Sequence, residues 1–364
     1  MSVLPAHLRG ISRVVVDAAV ARSPVASRVH QRLSDLPWEI LADGERLTPG
    51  LSREDILYLK QYRGRFLRFC PGTSHYRCCG YQIIHIGENC PLRCSYCILQ
   101  AYFQDRVLKV WANQDDLWRE LDEAFSAHPG RRVRVGTGEF TDSLVLEPLT
   151  GYSHDLVAFL ARYPQVCLEL KSKVVDLSWM EAASDPIRVL PAWSLNSPAI
   201  VDTEEQGVCA SLEQRLAAAQ TCARAGFRVC LHFDPIIYYP GWQDGYARTA
   251  EMIFDYLRPA DIAYVSMGSF RHMPELRRCI AENFPGSTYI YGEFITGLDG
   301  KQRLLKPLRV EQFRFLVTRL RRGGLDQQLY LCMESDEVWQ AVLGRTPENL
   351  GGLYRHLMDL AFGE

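Results

Sequence analysis

From residue 81 onward the chain alternates short apolar runs with stretches of helical period. The runs lie at 81–86, 133–137, 166–170, 188–195, 228–233 and 262–266, and they predict strands. Being apolar almost throughout, they suit strands buried on both faces. Between them, Asn113 can cap a helix whose buried face carries Leu117, Trp118, Leu121 and Phe125. Ser211 with Gln214 makes a capping box for another helix, which Gly226 ends. This alternation is that of parallel βα units, which right-handed crossovers wind into a barrel or an open doubly wound sheet.

The flanks read differently. Residues 1–80 are expected to form a mostly helical N-terminal region, with helices over 13–33 and 52–69. The second helix would carry apolar Ile56, Leu57, Leu59 and Phe66, with Lys60, Arg63, Arg65 and Arg68 on a face that meets either phosphates or water. Residues 81–270 would be the barrel, and 271–364 a C-terminal extension. Within the extension, Gly297-Leu298-Asp299-Gly300 between apolar arms predicts a β-hairpin over about 289–308. A further strand-like run covers 329–335.

With 364 residues and 47% hydrophobic content, the chain can bury one large core with additions, or two modest ones. Charged residues make up 23% and the net charge is −2, which gives no global electrostatic case for nucleic acid and leaves local patches open. No apolar stretch approaches membrane-spanning length, and the short run Val14-Val15-Val16 is broken by Asp17, so no signal-peptide core is expected and the setting reads as cytoplasmic. Twelve cysteines point to a reducing compartment and metal chemistry.

Three of those cysteines, Cys90, Cys94 and Cys97, stand in a C-x3-C-x2-C spacing directly after the first apolar run. Such a loop can fold three thiolates around one corner of a cubane iron–sulfur cluster, which normally takes four. Three ligands leave one iron open for a substrate or cofactor. The alternatives are buried free thiols or a zinc knuckle, which would want a fourth Cys or His close by. Cys70, Cys78 and Cys79 sit just upstream; packing against the barrel mouth and an auxiliary metal site are the two readings, and packing is favoured.

The spacing, with Tyr96 before the third cysteine, resembles the radical S-adenosylmethionine superfamily. There the open iron chelates the amine and carboxylate of S-adenosylmethionine beside a 4Fe-4S cluster. The strand ends fit that resemblance in order. Thr137, Gly138 and Glu139 match the glycine-rich loop that receives the methionine amine. Lys171 supplies a cation, Ser194 and Asn196 suit a ribose, Arg215 could clamp the carboxylate, and His232 and Asp234 could read the adenine or the substrate.

More narrowly, Cys-x3-Cys-x-Tyr-Cys-x-Leu-Gln, Lys171, Ser194-Leu195-Asn196, Leu212-Glu213-x-Arg215 and Pro240-Gly241-Trp242 resemble the spore photoproduct lyase family, which reverses a thymine dimer in DNA. The resemblance implies an α/β fold with a partial (β/α)6 barrel, and a late hairpin that probes the lesion, to which 289–308 corresponds here; its basic Lys301, Arg303 and Lys306 suit a phosphate and base-step wedge or, equally, an ordinary solvated hairpin. It also implies damaged DNA as a partner and an electron donor such as a flavodoxin or ferredoxin. Two departures stand out. Phe140 occupies the position of the family's hydrogen-donating cysteine, and Ile98 that of the tyrosine after the last cluster cysteine. Either another group passes the hydrogen atom, with Cys332, Tyr96, Tyr238 and Tyr239 as candidates, or the chain is a relative with a different substrate; Cys332 reads first as a buried core thiol, and the tyrosines can equally be packing residues. The competing readings are the same radical chemistry on RNA, a peptide or a metabolite, and a non-catalytic iron–sulfur protein that binds nucleic acid.

Overall fold

All six predicted runs are strands in the computed structural model, which describes residues 4–45, 47, 55–72, 75–205 and 207–363. In chain order the strands are β1 (Arg13–Asp17), β2 (Trp38–Leu41), β3 (Ile56–Lys60), β4 (Leu67–Phe69), β5 (Gln82–Ile84), β6 (Gly87–Glu88), β7 (Leu108–Trp111) and β8 (Val133–Gly136). Then come β9 (Val166–Ser172), β10 (Val189–Ser194), β11 (Val229–Ile236), β12 (Ile262–Ser269), β13 (Arg271–His272), β14 (Phe294–Thr296), β15 (Gln302–Leu304) and β16 (Leu329–Leu331).

The main sheet has the order β16-β12-β11-β10-β9-β8-β5-β4. Its strands are parallel apart from the antiparallel β4–β5 edge. Side-chain contacts show that it curls. Arg134 on β8 lies 5.0 Å over the ring of Tyr264 on β12, although four strand steps would separate them by about 19 Å in a flat sheet. The Tyr264 hydroxyl likewise reaches Glu169 on β9. The alternation along β8 explains the arrangement: Arg134 points into the curl, and apolar Val133 and Val135 join the outer core. The result is a partial (β/α)6 barrel extended by β16.

The expectation of a helical N-terminal region is corrected. Strands β2-β1-β3-β7-β6 form a second sheet, parallel except for β6–β7. Among the described residues there, only Pro24–Leu33, capped by the Ser23 hydroxyl on the Ala26 N–H, is an α-helix. The 52–69 span is β3 and β4, its residues 52–54 lying outside the described residues. The physical reason is burial on both faces. Val14–Val16 and Ile56–Tyr58 are fully enclosed, and a short continuous apolar run has no period that separates strand from helix. β-Branched Val14, Val15 and Val16 favour the strand. The two sheets share chain: β6 and β7 belong to the N-terminal sheet and flank the cysteine loop, which leaves one and returns on the other.

The Ser211–Gln214 capping box forms, with bonds of 2.8 and 3.2 Å, and Gly226 follows that helix at φ +92°. Asn113 does not cap its helix with its side chain. It bonds both the N–H and the carbonyl of Tyr62, at 2.8 and 2.9 Å, and so ties the β3–β4 connection to the helix start. The hairpin is β14–β15, with β13 as a third strand, and Gly300 takes the left-handed turn position at φ +74°. Its predicted basic face is corrected in part. Arg303 turns inward, paired to Asp299 at 2.7 Å and to the Met333 carbonyl at 3.0 Å, with its guanidinium over the Tyr76 ring. Lys306 stands beyond the strands as the first residue of the Lys306–Arg322 helix, paired to Glu337. Lys301 is half-buried.

Candidate active site

The cysteine loop is held at both ends and at its apex. The Asn89 side chain, on a residue at φ +69°, donates to the carbonyls of Asp105 and Val107, closing the loop's base. Gln100 donates to the carbonyls of Cys94 and Ser95 at 2.8 and 2.9 Å. The Ser95 N–H bonds the Glu204 carbonyl, and its hydroxyl reaches the Glu204 carboxylate and the Tyr289 hydroxyl. The Tyr96 hydroxyl donates to Glu205, which in turn pairs with Arg215. Arg215 is fully buried and donates further to the carbonyls of Ser194 and Ala210. One network therefore ties the loop to the end of β10 and to the segment leading into the hairpin.

Cys94 is buried, and Cys90 and Cys97 are half-buried. Burial pushes the Cys97 thiol up to about 11, the charge of Cys94 adding to the effect while Lys173 and Lys171 oppose it. Burial raises Cys90 as well, with Asp142, Cys97 and Cys94 contributing. Among the described residues, no three His, Cys, Asp or Glu side chains are gathered about one metal ion. A cubane suits a wider spread, since each of its irons takes one thiolate.

The strand ends surround a polar interior. Thr137 bonds Ser143 at 2.8 Å, and a Cβ at Gly138 would stand 3.0 Å from that of Lys171, so any larger residue there would crowd β9. Lys171 pairs with Glu139 at 3.1 Å. Ser194 and Asn196 are buried, and Asn196 bonds the Pro235 carbonyl and the Tyr246 hydroxyl. His232 stands 3.4 Å from Glu169. Burial alone would raise Glu169, but the charge and hydrogen bond of His232, with Arg134 and Tyr264, bring it down to about 2. Asp234 pairs with Arg271 at 3.4 Å, and Arg271 reaches the Cys332 sulfur at 3.9 Å. The sequence-predicted residues of the strand ends thus lie along one mouth, while Lys301, Arg303 and Lys306 are dispersed over a hairpin and a helix.

Several contributors were missed. Glu204 and Glu205, Glu169, Arg134 and Arg271 are buried or half-buried charges in strands or at a helix end. A charge in an apolar strand was a usable signal for Arg134 and Glu169; nothing local marks the Glu204-Glu205 pair. Asp142 was also overlooked. Its carboxylate takes the N–H groups of Leu144, Val145 and Lys173 and the Ser172 hydroxyl, shaping the loop after β8. Phe140 is only 8% exposed, packed against His85 (4.7 Å), Tyr102 and Phe103. Cys70 and Cys79 pack with Tyr81, Ile83 and Phe140, and Cys78 is exposed.

The family model for spore photoproduct lyase matches residues 74–294, more than half of the chain and all of the barrel strands from β5 to β12. The chain belongs to the spore photoproduct lyase family. It is 22% identical over 205 residues to the spore photoproduct lyase of Geobacillus sp. (strain Y412MC61), covering 56% of this chain and 60% of that protein. It is 21% identical over 220 residues to the one from Clostridium acetobutylicum, covering 60% and 63%. The match thus spans under two thirds of these curated relatives. The fold likeness is wider. A spore photoproduct lyase mutant superposes with a TM-score of 0.77 over 89% of this chain and 99% of that one, at 17% identity. A related structure of that lyase, with bound AdoMet and dinucleoside spore photoproduct, gives 0.76 over the same shares. Likeness at that identity establishes the spore photoproduct lyase fold, the curled parallel sheet described above.

Proposed function

We propose that this chain is a radical S-adenosylmethionine enzyme acting on a thymine photolesion in DNA. Its family membership and the tethered loop of Cys90, Cys94 and Cys97 carry the reading together. The donor set fits a 4Fe-4S cluster with an open iron: three thiols, Cys90, Cys94 and Cys97, in one short tethered loop. Cys90, Cys94 and Cys97 would hold the cluster, which with S-adenosylmethionine would supply the one-electron chemistry for taking a hydrogen atom from the substrate.

The chain's own residues do the rest. Lys171 and the backbone about Gly138 offer a cation and open backbone to the methionine end, and Ser194, Asn196, His232 and Asp234 border the nucleoside end. Arg215 acts here as a positioning residue, its donors already committed to Glu205 and two carbonyls. Cys332 is our candidate for returning the hydrogen atom, held at the mouth by Arg271 and by its N–H on the Met267 carbonyl. A spore photoproduct lyase structure holds a dinucleoside spore photoproduct, which supports the DNA substrate, and a small electron carrier such as a flavodoxin or ferredoxin would supply the electron.

The second reading keeps the radical chemistry and changes the substrate, to RNA, a peptide or a metabolite. Phe140 favours it, because a buried phenyl ring holds no hydrogen to give at that position. Replacing Cys90, Cys94 or Cys97 by Ala is expected to abolish both cluster absorbance and 5′-deoxyadenosine release in anaerobic assays. Release that survives each replacement would refute the cluster assignment. With UV-damaged DNA, Cys332→Ser is expected to keep deoxyadenosine release and lose restored thymine; unchanged repair would remove Cys332 from the hydrogen path.

A further inference from the structure

Cys209 stands in the connection between the helices Pro198–Glu204 and Leu212–Arg224, and its sulfur lies 4.0 Å from that of Cys94. It belongs to no sequence motif discussed above. The connection is pinned at each end, by Glu205 on Tyr96 and Arg215 and by the Ser211 capping box, while Gly207 between them takes φ +66°. On the other side, Arg93 at φ +53° precedes Cys94. Both thiols stand on irregular segments, outside any helix or strand.

We propose that Cys94 and Cys209 are a redox pair that takes the loop out of service when the cluster is absent and an oxidant is present. Both S–H bonds break and one S–S bond forms; the thiols give up two protons and two electrons, and a peroxide is reduced to two waters. A dithiol reductant reverses the step by exchange. Cys94 is the middle ligand of the three, so its capture leaves Cys90 and Cys97 alone and blocks cluster assembly while sparing the ligand thiol from irreversible over-oxidation. The consequence for assembly rests on the cluster reading above; the pairing itself does not.

The test uses the full-length chain stripped of metal. It is treated with graded hydrogen peroxide, its free thiols are blocked, and it is digested without reductant for mass spectrometry. The expected product is the Cys94 peptide joined to the Cys209 peptide with loss of two hydrogens. It should persist in a Cys97→Ser chain and vanish in Cys209→Ser. Cluster uptake by oxidised wild-type chain should fail until dithiothreitol is added. Cys94 remaining free, or paired instead with Cys90 or Cys97, at doses that oxidise exposed Cys78 would overturn the proposal. If the reduced chain takes up no cluster while the Cys94–Cys209 link still forms, the cluster reading fails and the pair stands.

Discussion

At the scale of single residues, the chemistry depends on buried groups whose charge state the fold sets. His85 shows this most simply. Its ring is enclosed by Tyr62, Trp111 and Phe140, and burial, helped by the Arg68 charge, lowers its pKa to about 3. The unfolded chain takes up that proton near 6.5 and the folded one does not until about 3, so the unfolded state binds more protons in between. Stability should therefore fall as pH drops from 6.5 toward 3, at up to about 1.4 kcal/mol per pH unit from this group. His85→Gln should flatten that part of the curve in denaturant titrations; an unaltered slope would show that His85 is not the source. Glu205 gives a sharper case. Replaced by Ala, it leaves the Arg215 guanidinium buried without its carboxylate, at a cost of about 3–5 kcal/mol, whereas Glu205→Gln should cost less. Equal, small losses for both would mean that the pair does not hold the loop. The loop of Cys90, Cys94 and Cys97 was singled out by its spacing, as the candidate for holding a cluster. Glu205 was not, because its partners Tyr96 and Arg215 are remote from it or hidden in sequence by a turn of chain.

Elements were legible where their pattern had a period or a cap, and illegible where it had neither. The Ser211–Gln214 box and Gly226 bounded a helix correctly, and Ser211→Ala should lower stability by about 1 kcal/mol, measured by urea denaturation. The N-terminal strands were misread as helix because enclosure on both faces erases the alternation that marks a strand. The hairpin turn was readable from Asp299-Gly300, but which face its cations took was not. Arg303 closes an ion pair with Asp299 inside the hairpin, and Leu298 at the tip is 72% exposed. The nucleic-acid prediction therefore shifts to Lys301 and Lys306. Changing both to Ala should weaken binding to DNA and reduce the slope of log affinity against log salt by about two. Arg303→Ala should instead lower the melting temperature. If the lysine variant binds with the parental slope, the hairpin does not meet phosphates.

For the molecule as a whole, the alternation of apolar runs and helices was enough to give parallel βα units, and the kind of barrel was what the family resemblance implied. Closure was beyond the pattern, since only contacts such as Arg134 over Tyr264 reveal the curl. The same holds for the joining of the two sheets through β6 and β7, which sets the cysteine loop at the barrel mouth. No helix among the described residues is long and apolar enough to cross a membrane. Substrate identity rests on the site rather than the fold, and the Phe140 and Ile98 departures make it the point to measure. The decisive experiment is anaerobic: reconstituted chain, S-adenosylmethionine and a strong reductant are mixed with UV-irradiated DNA carrying the spore photoproduct, and 5′-deoxyadenosine and restored thymine are followed in one sample. The account predicts that both appear together. Deoxyadenosine without restored thymine would contradict the DNA substrate, and the absence of both from cluster-loaded chain would contradict the radical enzyme itself.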